Sequence, residues 1–400
     1  MQAFTYYSPT KIIFGKEAQK KTAACIRELQ VSRVLIVYGS ERVVKTGLME
    51  QVTKELDAES IHWETLGGVV ANPRVNLTRE GVRRAIAMQA QLILAIGGGS
   101  VIDTAKGIAA GAANPGTDIW EYWSGKKRFT KSLPVGSILT IAAAGSETSN
   151  SAVLTNDDTL EKRGVTNERN RPVFAIMNPE LTYSLPRYQV AAGVSDIIMH
   201  TLERYFTPWQ GNHMSDAIAE GLIGTMLKYG PKGVENTHDY EAMSEIMWAG
   251  SLSHIDLTGL GCEPPGGGRL GDWGTHQLGM EIGGMYDLTH GATLSAVWGS
   301  WARYVCDADD ARFAQLGRNV FQIAVQNDRE AAMQTIDAME AFFRSIGMPT
   351  CFTELGIGVL PEEQLRKLAD NCSFHHTRTI SCFKTLDAED MYKIYKMSNH

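Results

Sequence analysis

QLILAIGGGSVIDTAKGIAAGAA, residues 91–113, is the stretch whose reading decides the fold. An unbroken apolar run leads into three successive glycines and then into a segment with helical spacing, which reads as strand, tight turn and helix. A strand that is apolar at every residue is buried on both faces, as in a parallel sheet covered by helices. Gly97, Gly98 and Gly99 let the backbone approach a phosphate closely, and the helix that follows offers free N–H groups at the positive end of its dipole. Ser100 can cap that helix or donate to the phosphate, and Asp103 sits in its first turn. A capping turn with no ligand is the competing reading, but capping needs one glycine rather than three. The motif is not the GxGxxG dinucleotide fingerprint.

Outward from this segment, RVLIVYG (33–39), SIHWETL (60–66), PVGSILTIAAAGSE (134–147) and PVFAIMNPELTYSLP (172–186) read as further strands, and EAQKKTAACIRELQ (17–30) and LTREGVRRAIAMQ (77–89) as helices. AFTYY (3–7) and KIIFG (11–15) read as two short strands of an edge hairpin. Strand–helix alternation implies an α/β domain around a parallel sheet. Beyond residue 186 every long periodic segment is helical: 190–207, 214–230, 240–257, 293–305, 310–323 and 331–347. The boundary falls near Leu185, giving an α/β domain over 1–185 that carries the glycine turn and an all-helical domain over 186–400.

Two more turns follow strands in the first half. In YGSER (38–42), Gly39 and Ser40 are small, Glu41 acidic and Arg42 basic, where a strand of such a sheet meets the adenosine ribose. That mixture leaves both NAD and NADP open. In AAAGSETSNSAV (142–153), Gly145, Ser146, Thr148, Ser149 and Asn150 are placed to line a nucleotide or substrate, with Thr140 just ahead; an ordinary polar loop competes with that reading.

The 400 residues are 44% hydrophobic and 21% charged, with net charge −7 and no block of like charge. This argues against nucleic acid or an anionic membrane as the main partner. The six cysteines form no CxxC and read as free thiols in a reducing compartment. No secretory signal or membrane-length apolar run is evident, so a cytoplasmic location is expected.

Asp196 and His200 stand four apart in GVSDIIMHTLERYF (193–206), on one face of a helix whose neighbours are apolar. Polar groups directed into a core are costly unless they pair or coordinate. His276 follows the glycine- and proline-rich loop GLGCEPPGGGRLGDWG (259–274), and His290 precedes Gly291. One carboxylate and three imidazoles suit Fe²⁺, Zn²⁺ or Mn²⁺ with an open coordination position. Each histidine alone is most simply a hydrogen-bonded residue; the combination points to a metal.

With these motifs in hand, the chain resembles the iron-containing (group III) alcohol dehydrogenases, and most closely their NAD(P)H-dependent butanol dehydrogenase or aldehyde reductase branch. The resemblance runs from KIIFG through GGGSVIDTAK, GSE, NPELTYSLP, AAGVSDIIMHTLE and GDWGTHQL to DLTHG and ends near RTISCFKTL (378–386). It implies an N-terminal Rossmann-like domain, a C-terminal all-α metal-binding domain in the dehydroquinate synthase-like manner, and a metal between them. It carries the metal ligands to Asp196, His200, His276 and His290, and the pyrophosphate loop to Gly97, Gly98, Gly99 and Ser100 with Asp103 nearby. Lys162 and Asn72 resemble nucleotide-contacting residues, and a homodimer is implied. The implied activity is hydride transfer between NAD(P)H and a small aldehyde. The chain departs from the family at Met280, where members carry a histidine four after the third ligand, at Ala144 in the TGSE-like turn, and in the extra stretch Cys262 to Gly268. The loss at Met280 leaves His254 as a weak candidate for proton transfer, with a hydrogen-bonded helix histidine the favoured reading, and a relay through the cofactor ribose and water as the expected route. Three rivals remain: a dehydroquinate-synthase- or glycerol-dehydrogenase-like enzyme, a catalytically degenerate metal-binding protein, and a reductase of an anionic aldehyde such as sulfoacetaldehyde. In the last, Arg378 and Lys384 would meet the charged tail.

Overall fold

The computed structural model describes residues 2–209, 211–264 and 270–400. The chain forms two compact units: Tyr7–Leu185, and Pro186–His400 joined by the residues before Tyr7, where the Gln2 amide donates to the Gly261 carbonyl at 3.3 Å.

In the first unit the strands are β1 (Lys11–Phe14), β2 (Arg33–Tyr38), β3 (His62–Leu66), β4 (Leu92–Gly97), β5 (Val135–Leu139), β6 (Ser151–Thr155), β7 (Lys162–Thr166) and β8 (Phe174–Met177). The helices are α1 (Thr22–Glu28), α2 (Arg42–Lys45), α3 (Leu48–Ala58), α4 (Val75–Ala87), α5 (Gly99–Ala112) and α6 (Ile119–Trp123). Six strands pair in the order β1-β8-β5-β4-β2-β3, all parallel. Central β4, β5 and β8 are buried at every residue, while edge strands β1 and β3 are partly exposed, as burial on both faces requires. Val34, Ile36, Leu94, Ile96 and Ile176 form one core with Ile26, Val52 and Leu56 of α1 and α3.

Two expectations are corrected here. AFTYY forms no strand, and β1 pairs parallel with β8 rather than in a hairpin: Lys11 opposes Phe174 and Phe14 opposes Met177. Its partner lies about 160 residues on, beyond any local pattern. The antiparallel hairpin β6–β7 went unforeseen because its strands, SAVLT and KRGVT, carry little apolar signal.

The order β3-β2-β4-β5-β8 places the reversal of winding between β2 and β4, whose C-terminal ends form the crevice where open α/β sheets bind ligands.

The second unit is helical: α7 (Arg187–Tyr205), α8 (His213–Glu235), α9 (Tyr240–Ser253), α10 (Gly274–Tyr286), α11 (His290–Val305), α12 (Asp310–Val320), α13 (Asp328–Ser345), α14 (Phe352–Leu355), α15 (Glu362–Cys372) and α16 (Ala388–Ser398). Helix α7 is buried without a break from Val190 to Tyr205 and packs against α8, α9, α10 and α11. A helix buried on all sides has no solvent face on which to place a charge, so its polar residues must find partners within the unit. No described helix is long and apolar enough to cross a membrane.

Candidate metal centre and dinucleotide turn

Asp196 and His200 lie one turn apart on α7, both buried. His276 is in the first turn of α10, and His290 is the first residue of α11. The three helices bring their groups around one carboxylate oxygen. Asp196 Oδ1 is 3.6 Å from His200 Nδ1, 3.8 Å from His276 Nε2 and 3.7 Å from His290 Nε2. Asp196, His276 and His290 form a compact ligand set, every pair of ligand atoms within 4.8 Å. His200 stands against it, its ring centroid 4.7 Å from that of His276.

The donor set fits a divalent cation. Asp196 Oδ1, His200 Nδ1 and His276 Nε2 are buried and have no hydrogen-bond partner. A tetrahedral ion with ligand distances of about 2.1 Å separates its ligands by about 3.4 Å, close to the spacings found. Side chains of Asp196, His200 and His276 are nearly inaccessible, whereas that of His290 is 29% exposed, so the site opens on the His290 side.

Burial alone would raise the Asp196 carboxyl, but the imidazoles of His200, His290 and His276 outweigh it and hold the group well below the usual carboxylate range. Burial drives His200 well below an ordinary imidazole, with Asp196 opposing. For His276, burial is outweighed by the neighbouring carboxylates of Asp196 and Glu203, and its pKa is raised. The set is thus one stable anion beside imidazoles shifted in opposite directions, His200 down and His276 up.

Glu203, missed in the sequence, completes the arrangement. Its Oε1 accepts from the His276 backbone N–H at 2.8 Å and from Nδ1 at 2.9 Å. Nδ1 therefore carries the proton and Nε2 faces Asp196 with its lone pair, the tautomer a metal requires. The signal was present: Glu203 is seven residues after Asp196 and three after His200 on a buried helix, hence on the same face. Glu203→Gln is expected to weaken metal affinity about 10- to 100-fold, since Glu203 Oε2 has no partner that an amide could use. Competition with a chromogenic chelator measures this; an unchanged affinity would remove Glu203 from the site.

Arg204 ties the end of α9 to α7, donating to the carbonyls of His200 at 3.0 Å and Ser253 at 3.1 Å, to Asp256 and to His254 Nδ1 at 3.1 Å. His254, whose ring lies 4.3 Å from that of His200, is thus a hydrogen-bonded residue at the end of its helix, as favoured from the sequence. Met280 is partly buried one turn beyond His276 on α10. Close helix contact sets the ligand spacing: Ser195 Oγ donates to the Gly291 carbonyl at 2.9 Å, and a Cβ on Gly291 would lie 2.0 Å from the Ala192 carbonyl oxygen.

Lys384 and Arg378 do not await an anion. Lys384 Nζ binds Asp307 at 2.9 Å and the Tyr304 carbonyl, while Arg378 bonds the Cys372 carbonyl and lies 3.4 Å over the Phe374 ring. Of the Cys262–Gly268 stretch, residues 265–268 fall outside the described residues.

In the first unit, Gly98 is the cap of α5, without a side-chain cap bond, so Ser100 does not cap the helix. A Cβ on Gly98 would lie 2.8 Å from Ile141 Cβ, and one on Gly97 2.4 Å from Val101, which is why glycine is required. Gly39 at the end of β2 meets the same Val101, so the turns after β2 and β4 adjoin. Ser40 and Glu41 are exposed beyond β2, and Arg42 turns back to the Thr140 carbonyl at 3.5 Å. Thr140 is buried, its N–H bonded to the Gly97 carbonyl. Asn72, in the left-handed region at φ 54°, accepts from Lys162 Nζ at 2.9 Å. The hairpin delivers Lys162 there: Thr155 opposes Lys162 and bonds the Pro73 carbonyl at 2.7 Å. Asp103 and Ser149 are engaged internally. Asp103 accepts from Ser146 Oγ at 2.6 Å and the Val153 N–H, and Ser149 Oγ accepts from the Ser151 N–H.

Residues 9–179 match the family model described as iron-containing alcohol dehydrogenase, and residues 190–399 match that of the Fe-containing alcohol dehydrogenase family, C-terminal. The chain is 36% identical to the NADH-dependent butanol dehydrogenase A of Clostridium acetobutylicum over 400 residues, covering 100% of each. It is 34% identical to the NADPH-dependent aldehyde reductase YqhD of Escherichia coli over 362 residues, covering 89% of this chain and 90% of that protein. The solved structure of NADH-dependent butanol dehydrogenase A from Thermotoga maritima superposes with a TM-score of 0.94 at 31% identity, covering 100% of this chain and 99% of that one.

Proposed function

This chain belongs to the iron-containing alcohol dehydrogenase family, and from that premise we propose how its residues divide the work. It is an NAD(P)-dependent, metal-containing alcohol dehydrogenase that interconverts small aldehydes and alcohols. The observation that carries the assignment is the convergence of buried, unpartnered Asp196 Oδ1, His200 Nδ1 and His276 Nε2 on one point. Asp196, His200, His276 and His290 hold the metal. Gly97, Gly98, Gly99 and Ser100 receive the pyrophosphate at the N-terminus of α5; Gly39 to Glu41, Asn72, Thr140 and Lys162 surround the rest of the dinucleotide.

When bound, the divalent cation, Fe²⁺ or Zn²⁺ with Mn²⁺ as a further option, supplies Lewis-acid polarisation of the carbonyl oxygen, and the nicotinamide supplies the hydride. Asp196 is the single carboxylate among the four ligands, so a bound divalent cation would keep part of its charge for an oxygen that gains charge in the transition state. Glu203 holds the His276 ring so that Nε2 stays on target. The exposed edge of His290 marks where a small aldehyde enters.

The thioether at Met280 carries no titratable proton, and His254 Nδ1 is occupied by Arg204. Neither side chain is therefore placed to hand a proton to the product oxygen; a bound dinucleotide would bring ribose hydroxyls that, with water, would supply one. Met280→His introduces an imidazole one turn from His276, and a new ionisation between about pH 6 and 7 is expected in the kcat/KM profile. Superimposable profiles would show that position 280 only packs.

Simple aldehydes are the favoured substrates over anionic ones, because Lys384 and Arg378 already have partners. The test is a panel of straight-chain and sulfonated aldehydes with NADH and NADPH, on Fe²⁺- and Zn²⁺-loaded protein. Oxidation of reduced nicotinamide by none of them would leave a metal-binding protein without this activity. A homodimer and a cytoplasmic location belong to the same proposal. Strand β1 ends the sheet order, with Phe14 and Tyr7 exposed near it, and the six cysteines are free thiols. Light scattering at a single chain's mass would remove the dimer.

A further inference from the structure

Lys106 is fully buried, yet it carries a charge on the middle of α5. An ammonium group in an apolar interior is costly unless it is paired and saturated with acceptors. Its Nζ donates to the Ser146 carbonyl at 2.7 Å, Ser146 Oγ at 2.8 Å, the Ser149 carbonyl at 3.0 Å and the Ser151 carbonyl at 2.8 Å. The carbonyls of Ser146 and Ser149 in the turn, and that of Ser151 at the start of β6, thus converge on a single cation. Asp103, one turn earlier on α5, takes the Ser146 hydroxyl and the Val153 N–H, and Arg171 donates to the Thr148 carbonyl at 2.9 Å. Glu147 is buried in the same turn.

The residues that lead into this turn wall the phosphate loop. A Cβ on Gly98 would lie 2.8 Å from Ile141 and one on Gly99 3.2 Å from Ala144, so residues 141–144 are pressed against the first turn of α5. Lys106 is seven residues beyond Gly99, two turns along the same face of the helix. The helix that presents its N-terminus to the pyrophosphate therefore grips, further along, the turn that flanks it.

We propose that Lys106 is a positioning residue for the dinucleotide: it locks the turn Gly145–Ser151 onto the phosphate helix, and cofactor affinity depends on that lock. The inference rests on the dinucleotide reading of α5 given above. The lock is charge-dependent, because a neutral amine has two N–H groups for four acceptors. Burial lowers the Lys106 pKa to about 8, against the raising influence of Asp103 and Glu147, and with Arg171 adding to the lowering. These are the charged groups that face it from α5, from the turn and from the segment before β8. The protonated form is the one that holds the turn, so cofactor affinity declines as pH rises through this range.

The test measures NADH and NADPH dissociation constants by fluorescence on metal-loaded wild type, Lys106→Met and Ser146→Ala, with metal content and melting temperature alongside. Lys106→Met is expected to weaken dinucleotide binding at neutral pH about tenfold or more while metal content stays at the wild-type level. Wild-type affinity should fall between about pH 7 and pH 10, and the Met variant, with nothing to titrate there, should show a flat profile. A merely structural lysine would not produce that difference in pH profile. Ser146→Ala removes one acceptor and the Asp103 donor while sparing the charge; it is expected to weaken binding about threefold and to move the pH midpoint, and it answers the question should the Met variant not fold. Affinities within twofold of wild type, or identical pH profiles, overturn the inference. A wild type that binds neither dinucleotide overturns the cofactor reading beneath it.

Discussion

Replacing His276 by alanine is expected to leave a folded protein that holds little metal and turns aldehyde over far more slowly. Its Nε2 lies 3.8 Å from Asp196 Oδ1, and its Nδ1 and backbone N–H are both fixed by Glu203. Alanine removes one donor and strands the Glu203 carboxylate without its imidazole partner. Metal occupancy after dialysis should fall below about a tenth of wild type, and kcat by about a thousandfold or more, the scale of losing the principal charge stabilisation of the transition state. Metal analysis and turnover on the same preparation check both numbers. A variant that keeps stoichiometric metal and near-normal kcat would remove His276 from the ligand set. Comparing melting temperature with that of the metal-stripped wild type separates loss of the ion from loss of the fold.

Gly291→Ala is expected to do comparable damage without touching a ligand. The added Cβ would sit 2.0 Å from the Ala192 carbonyl oxygen and 2.8 Å from its carbon, both backbone atoms of buried α7 that cannot turn aside. Helices α7 and α11 must separate, and with them Asp196 and His290, now 3.7 Å apart. Overpacking of this kind costs about 1–3 kcal/mol and sometimes more, and contact with rigid backbone puts this case at the upper end. The melting temperature of the metal-free protein should drop by about 6–12 °C for a loss near 3 kcal/mol in a unit of this size. Metal affinity should fall in addition, since the spacing between ligands changes. A melt and metal affinity equal to wild type would mean the helices reseat freely, and that their contact does not set the site.

These two residues differ in how far the sequence gives them away. His276 is conspicuous once Asp196 and His200 are noticed four apart in an apolar helix, because metal-ligand chemistry restricts the residue types. Gly291 is visible only as the neighbour of His290; its reason for being glycine is a backbone 99 residues earlier. Glu203 and Lys106 were overlooked for a related cause. Glutamate and lysine are usually exposed, so each reads as a surface residue until the element carrying it proves to be buried all round. The pairing of β1 with β8 and the delivery of Lys162 to Asn72 by the β6–β7 hairpin likewise depend on partners about 90–160 residues away.

By itself the sequence determined the local units and the chemistry they favour. Its unbroken apolar runs followed by glycine dictate buried parallel strands with tight turns, and i,i+4 spacing within an apolar helix dictates one carboxylate and one imidazole on a common face. These are short-range consequences of backbone period and side-chain type. Tertiary structure alone decided the strand order that brings the turns after β2 and β4 together, the approach of α7, α10 and α11 that surrounds Asp196 Oδ1 with three imidazoles, and the burial that turns Glu203 and Lys106 into holders of a ring and of a turn. Those depend on close packing between segments distant in the chain, and no periodicity within a segment records which neighbour it will meet.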